Sequence, residues 1–241
     1  MSSTFSPVYL FADSQLLFWR QDSHLFLKSI LEFVIDNDPG AAYLGASNGD
    51  NPEFYQLFLA AMESIGIERC RMIPAQPSDE DKDFLKQSSI ILLAGGDVKQ
   101  GWDAFKAAGV DDLIRECYSE GAVLIGISAG AVQLGTCSIY QSAKGKNRLL
   151  TTFQVLPFII DVHDDQADWS QLKKTMKMKN GFEKGIGIPA GGGFIYHPDH
   201  TVEPIRQSLS ELAFDEEKGT ISSSLLFPGS AKGTSTVVSE H

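Results

Sequence analysis

The chain has 241 residues, a formal net charge of −11 and an ordinary soluble composition, 43% hydrophobic and 21% charged, which is enough to bury a full core in a single α/β domain over residues 1–241. That acidic balance argues against nucleic acid or an anionic membrane as a general partner, and no run reaches the roughly 18 apolar residues of a membrane span. The start, Met1-Ser-Ser-Thr-Phe5, lacks a secretory signal, and the odd, scattered set Cys70, Cys117 and Cys137 reads as reduced thiols of a cytoplasmic protein.

Short apolar runs alternate with amphipathic stretches through the first half. Val8–Phe11, Ala41–Leu44, Ile90–Leu93 and Ala122–Ile125 read as strands buried on both sides. Helical patterns lie near 22–36, 52–65 and 99–120, with Asn51-Pro52 a helix start. The alternation predicts a three-layer α/β/α fold around a mostly parallel sheet. In the second half, 151–162 is apolar with a break at Pro157 and 167–179 looks helical. Gly185–Ile188, Phe194–Tyr196 and Thr201–Ile205 read as short strands, and Gly233–His241 as a frayed tail or an edge strand. Between Lys144 and Lys184 eight basic residues outnumber five acids, which suits either a solvated helix face or a rim that attracts a carboxylate-bearing substrate.

Gly126-Ile-Ser-Ala-Gly130 follows the fourth of those first-half strands directly. A buried strand ending in Gly-x-Ser-x-Gly before a helix lifts one hydroxyl out on a sharp turn, beside a helix N-terminus that favours negative charge. Ser128 is therefore the candidate nucleophile, and a serine hydroxyl needs a base. Of His24, His163, His197, His200 and His241, the one that ends an apolar, strand-like segment downstream of the nucleophile is His163. The Ala129 N–H follows the nucleophile as an oxyanion donor, and Gly95-Gly96-Asp97 closes the preceding strand with backbone that a substrate oxygen can approach. Neither a metal nor a cofactor is expected.

Leu93-Ala-Gly-Gly-Asp97, Gly126-Ile-Ser-Ala-Gly-Ala131, Asp161-Val-His163 and Gly185-Ile-Gly-Ile188 resemble, in order and spacing, the peptidase E and cyanophycinase family of serine peptidases. Tyr43-Leu-Gly-Ala-Ser47 and Asp50–Tyr55 extend the similarity, which covers roughly residues 40 to 205. The resemblance implies a class I glutamine amidotransferase-like fold with serine in place of cysteine, and cleavage next to aspartate. It implies Ser128 as nucleophile, His163 as base, Gly96 and Ala129 as oxyanion donors, and Asp97 and Asp161 as acids lining the substrate pocket.

The pattern breaks where family members carry a glutamate that orients the histidine, because this chain reads Ile188-Pro-Ala-Gly191. A methyl group at Ala190 cannot hold an imidazole tautomer, and disabling that role in a Ser-His-Asp enzyme lowers turnover by about four orders of magnitude. Asp161, Asp164, Asp165 and Glu183 are the nearby carboxylates by sequence, and Asp161 comes first because it shares a side of an extended segment with His163. Val98 and Val162 replace glutamines of cyanophycinase-like sequences, which turns the expectation toward a small acidic peptide or amide. The leading expectation is a hydrolase working through an acyl-enzyme on Ser128. The alternative is a catalytically degraded relative that binds a small peptide or metabolite. An amidotransferase is disfavoured because no cysteine stands at the elbow, and a homodimer is the default for assembly.

Overall fold

A computed structural model describes residues 5–179, 183–215 and 219–229; His241 and the 233–241 tail lie outside the described residues. In chain order the strands are β1 (Val8–Phe11), the hairpin β2 (Arg20–Gln21) and β3 (His24–Leu25), β4 (Gly40–Leu44), β5 (Arg69–Ile73), β6 (Ser88–Leu93), β7 (Val123–Ile127), β8 (Cys137–Gln141), β9 (Asn147–Thr151), β10 (Ile159–Val162), β11 (Gly185–Ile188), β12 (Gly193–Tyr196), β13 (Val202–Ile205), β14 (Leu209–Asp215) and β15 (Thr220–Leu226). The helices are α1 (Pro52–Ser64), α2 (Asp79–Lys86), α3 (Val98–Ala108), α4 (Val110–Ser119), α5 (Ala129–Leu134) and α6 (Ser170–Met178).

The central sheet runs β13-β12-β1-β7-β6-β4-β5. From β1 to β5 every pairing is parallel, and β12 and β13 close the other edge antiparallel. The expected mostly parallel sheet is therefore present. Side chains alternate along each strand, so Leu10, Leu44, Leu93 and Leu124 enter one core while Phe11, Tyr43, Leu92 and Ile125 enter the other. The first core takes Leu85 of α2, Trp102 and Phe105 of α3, and Ile114 of α4; the second takes Phe58 and Met62 of α1. A second sheet, β10-β11-β14-β15, lies against the first core through Ile160, Ile186 and Leu209.

Two readings of the sequence are corrected. Residues 22–36 do not form an α-helix: Asp22 and Ser23 have positive φ and turn the β2–β3 hairpin, after which Phe26–Glu32 winds as a 3₁₀ segment. Its Leu27 and Ile30 are both buried, as the three-residue period of that helix requires. The 99–120 stretch is two helices, broken where Gly109 takes φ +65°. By contrast, Gly185–Ile188 is a strand, as read from the sequence, and pairs with β10 in the second sheet. Helix α1 also begins as predicted, with the Asn51 side chain accepting from the Glu53 N–H at 2.8 Å.

The turn from β7 into α5 is packed tightly against β6. A Cβ on Gly130 would stand 2.1 Å from the Leu93 carbonyl oxygen, and one on Gly126 would stand 2.7 Å from the Ala131 Cα. Gly130→Ala must therefore push strand and helix apart, and it is expected to cost about 1–3 kcal/mol. Urea unfolding checks this; an unchanged midpoint would contradict the tight contact.

Candidate active site

Ser128 sits between β7 and α5 with φ +50° and ψ −110°, a strained conformation for a residue with a side chain. It is held there from both sides: its N–H donates to the Phe11 carbonyl at 2.9 Å, and its own carbonyl accepts from the Val132 N–H at 3.1 Å. The half-buried side chain opens into a cavity of about 270 Å³ that Gly95, Gly96, Asp13, Asn48 and His163 also line.

The Gly95–Gly96 backbone lies directly beside the nucleophile, since a Cβ on Gly95 would come 3.3 Å from the Ser128 Cβ. This loop is pinned from behind. A Cβ on Gly96 would stand 2.1 Å from the Ser47 carbonyl oxygen, the same oxygen that accepts from the Asp97 N–H at 2.7 Å. The fully buried Gln133 of α5 donates to Ser47 Oγ at 3.1 Å and to the Val98 carbonyl at 2.9 Å, which ties the nucleophile helix to the same loop. Asn48 donates to the Gly95 carbonyl at 3.1 Å and to the Tyr43 hydroxyl at 3.0 Å. Burial pushes the Tyr43 phenol up, so it stays neutral there. Among the described residues, no hydrogen bond engages the Gly96 or Ala129 N–H.

His163 follows β10 with φ +63°, and its N–H donates to the Ile188 carbonyl at 3.1 Å. It lines the Ser128 cavity; among the described residues no hydrogen bond joins its ring to Ser128 or to a carboxylate. The side chains of Asp97 and Asp161 are placed elsewhere. Asp97 caps α3, accepting from the Gln100 N–H at 2.7 Å. Asp161 lines a separate cavity of about 330 Å³ with Tyr140, Gln171 and Lys174. The same-side expectation for Asp161 and His163 fails because the left-handed backbone at His163 ends the extended alternation.

The remaining acids considered from sequence are also occupied or remote. Asp164 accepts from the Gln171 N–H in the first turn of α6 at 2.9 Å, Glu183 accepts from the Thr136 hydroxyl, and Asp165 starts a short exposed 3₁₀ turn. None of the eight basic residues between Lys144 and Lys184 lines the Ser128 cavity, and several are paired locally, Lys173 with Asp168 at 2.6 Å and Lys184 with Glu211 at 2.8 Å. His24 lies in the β2–β3 hairpin, while His197 and His200 flank the β12–β13 turn. The cavity residues that sequence reasoning missed include Asp13 and Asn48. Neither carries a motif, and each reaches the site only through the sheet order.

Burial raises the thiols of Cys70 and Cys117 to about 11, and no cysteine lines the cavity. Among the described residues, no group of three or more His, Cys, Asp or Glu is placed to hold a metal ion, and no helix is long and apolar enough to cross a membrane.

A serine on a strained strand-to-helix turn, a histidine in the same cavity and unengaged backbone donors on a parallel α/β sheet define the class of serine hydrolases with an elbow nucleophile. Within it, the model of peptidase family S51 matches residues 16–203, and the chain belongs to that family. The uncharacterized peptidase YgaJ of Bacillus subtilis (strain 168) is 25% identical over 122 residues, 50% of this chain and 51% of that protein, so the chain spans about half the length of this curated relative. Two solved structures share the fold. A peptidase from an acI-B1 Actinobacterium has a TM-score of 0.71 at 17% identity, covering 95% of this chain and 97% of that one. A putative peptidase E protein from Listeria monocytogenes EGD-e has a TM-score of 0.60 at 18% identity, covering 85% and 100%.

Asp161 yields a prediction about stability. Burial is the main cause that raises its carboxyl to about 6, the Asp164 charge adds to it, and Oδ2 is buried without a hydrogen-bond partner. A folded-state pKa above the unfolded value favours the protonated form, so this group lowers stability as pH rises from about 4 to beyond 6. Asp161→Asn should therefore raise the unfolding free energy measured in urea at pH 8, by up to about 3 kcal/mol. At pH 4 it should change the midpoint little; equal effects at both pH values would contradict the assignment.

Proposed function

We propose that the chain is a serine peptidase that hydrolyses a small peptide or related amide in the cytoplasm through an acyl-enzyme on Ser128. The observation that carries this reading is the shared cavity of Ser128, His163 and the Gly95–Gly96 backbone. In the proposed cycle His163 accepts the hydroxyl proton as Ser128 Oγ bonds to the substrate carbonyl carbon. The oxyanion takes the Gly96 and Ala129 N–H groups. Collapse breaks the C–N bond, and the departing amine leaves with the proton from His163. Water then repeats the sequence on the ester, releasing the acid and restoring the hydroxyl.

The motif resemblance supports an aspartyl-type residue at the scissile bond, and the three free cysteines suit a reducing compartment. Among the described residues no Lys or Arg lines the cavity, and both Asn48 amide donors are taken, so a substrate carboxylate would rely on backbone N–H groups. Tyr43, Phe54, Leu57 and Phe58 form an apolar wall suited to the side chain of the second residue. Asp-Leu and Asp-Phe dipeptides should then be cleaved about 10- to 100-fold faster than Asp-Lys, the range set by burying one large apolar side chain. Equal rates across such a panel would contradict the role given to that wall.

Ala190, together with the absence among the described residues of a carboxylate hydrogen-bonded to the His163 ring, favours one second reading, a degraded member that binds its peptide without cleaving it. The deciding experiment is Ser128→Ala. Loss of all turnover supports hydrolysis. A wild type that never turns over a peptide, yet is stabilised thermally by it equally with and without the hydroxyl, supports the binder.

A further inference from the structure

The loop that lacks the family's glutamate crosses the end of β1. Strand β12 pairs antiparallel with β1, Phe11 opposite Gly193, and the Ala12 N–H donates to the Gly192 carbonyl at 2.9 Å. This juxtaposition places Asp13 against the residue that follows Ala190: Asp13 Oδ2 accepts from the Gly191 N–H at 2.7 Å. The other end of the same loop is fixed to the histidine, because β10 and β11 pair with Val162 opposite Ile188 and the His163 N–H donates to the Ile188 carbonyl. Asp13, His163 and Ser128 all line one cavity. No other carboxylate lines it among the described residues.

We propose that Asp13 supplies the carboxylate missing at Ala190, acting as the positioning residue for His163. The inference rests on hydrolysis through Ser128 and His163. The carboxylate has been moved, in effect, from the end of β11 to the end of β1, two chain segments that meet beside the base. Its present hydrogen bonds leave it free to act. Oδ1 accepts from the Gln15 N–H at 3.0 Å and Oδ2 from Gly191, and each carboxylate oxygen retains a further acceptor site. These two backbone donors lock the carboxyl rotamer, as an orienting acid requires. The exposed His163 ring is not hydrogen-bonded to Asp13 in this structure; in the proposed role it rotates so that the ring N–H facing away from Ser128 meets the held carboxylate, which then sets the imidazole tautomer and stabilises the imidazolium formed as the serine proton leaves.

The test is the rate at which a small fluorophosphonate labels Ser128, followed by intact mass against pH, which needs no identified substrate. Wild type should show labelling that rises with deprotonation of His163. Asp13→Asn should slow it by about 100-fold or more and lower the apparent pKa of the profile by about one unit, because a neighbouring carboxylate favours imidazolium. Adding Ala190→Glu to Asp13→Asn should restore at least about tenfold of the rate and return the apparent pKa upward. Asp13→Glu should fall between wild type and Asn. A mere clamp on the Gly191 loop would lower stability in Asp13→Asn without moving the apparent pKa, and Ala190→Glu would not rescue it. That result overturns the proposal, as does a loss confined to Asp161→Asn, which assigns the acid to Asp161. If Asp13→Asn fails to fold, the single variant Ala190→Glu decides: a second carboxylate beside an already paired ring changes the rate by less than about threefold, whereas an unpaired ring gains tenfold or more. A wild type that is never labelled defeats the hydrolase reading itself and is thereby distinct from labelling that ignores Asp13.

Discussion

The site depends on a single steric constraint, the close approach of the Ser128 turn to strand β6. With φ +50° and ψ −110°, Ser128 occupies a conformation that free chain avoids, and only the surrounding contacts hold it. Gly130 lets helix α5 start against the Leu93 carbonyl, the Phe11 carbonyl takes the serine N–H, and Gln133 pulls the same helix onto the Ser47 loop. The conformation that exposes the hydroxyl is thus built from three neighbouring parallel strands. Loosening any of them would let the turn relax and bury the nucleophile.

The second half of the chain brings the base to that turn by a different route. His163 comes from the small sheet, and its position relative to Ser128 is set by core packing of Ile160, Ile186 and Leu209 on the central sheet. Nucleophile and base therefore belong to separate hydrogen-bonded sheets, joined by apolar packing and by hydrogen bonds of the flanking segments. Such an arrangement explains why a carboxylate anchored on β1, part of the nucleophile's own sheet, is well placed to bridge the two: Asp13 holds the loop leaving β11 while facing the cavity. Loss of a glutamate at the end of β11 is then compatible with a complete set of roles.

Much of this was legible in the sequence because the relevant signals are local. The parallel strands are short apolar runs, the elbow is five contiguous residues, and the N-cap of α1 is written in Asn51-Pro52. The parts that were not legible depend on distant pairing. Strand β5, Arg-Cys-Arg-Met-Ile, lies at a sheet edge and is too polar to signal burial, while the β8–β9 and β14–β15 pairs carry little apolar alternation. The side-by-side reading of Asp161 and His163 assumed extended backbone and missed the left-handed turn at the histidine. Asp13 was invisible for a further reason: only the antiparallel addition of β12 beside β1 brings it next to Gly191.

The central claim is that Ser128 forms a covalent bond to the acyl group of its substrate. Its most direct test is rapid acid quenching during turnover of an activated ester, with intact and peptide-level mass spectrometry of the enzyme. The account predicts a burst of leaving group equal to the enzyme concentration and an acyl adduct on Ser128. Turnover with neither burst nor adduct, or with the acyl group on any other residue, would contradict it.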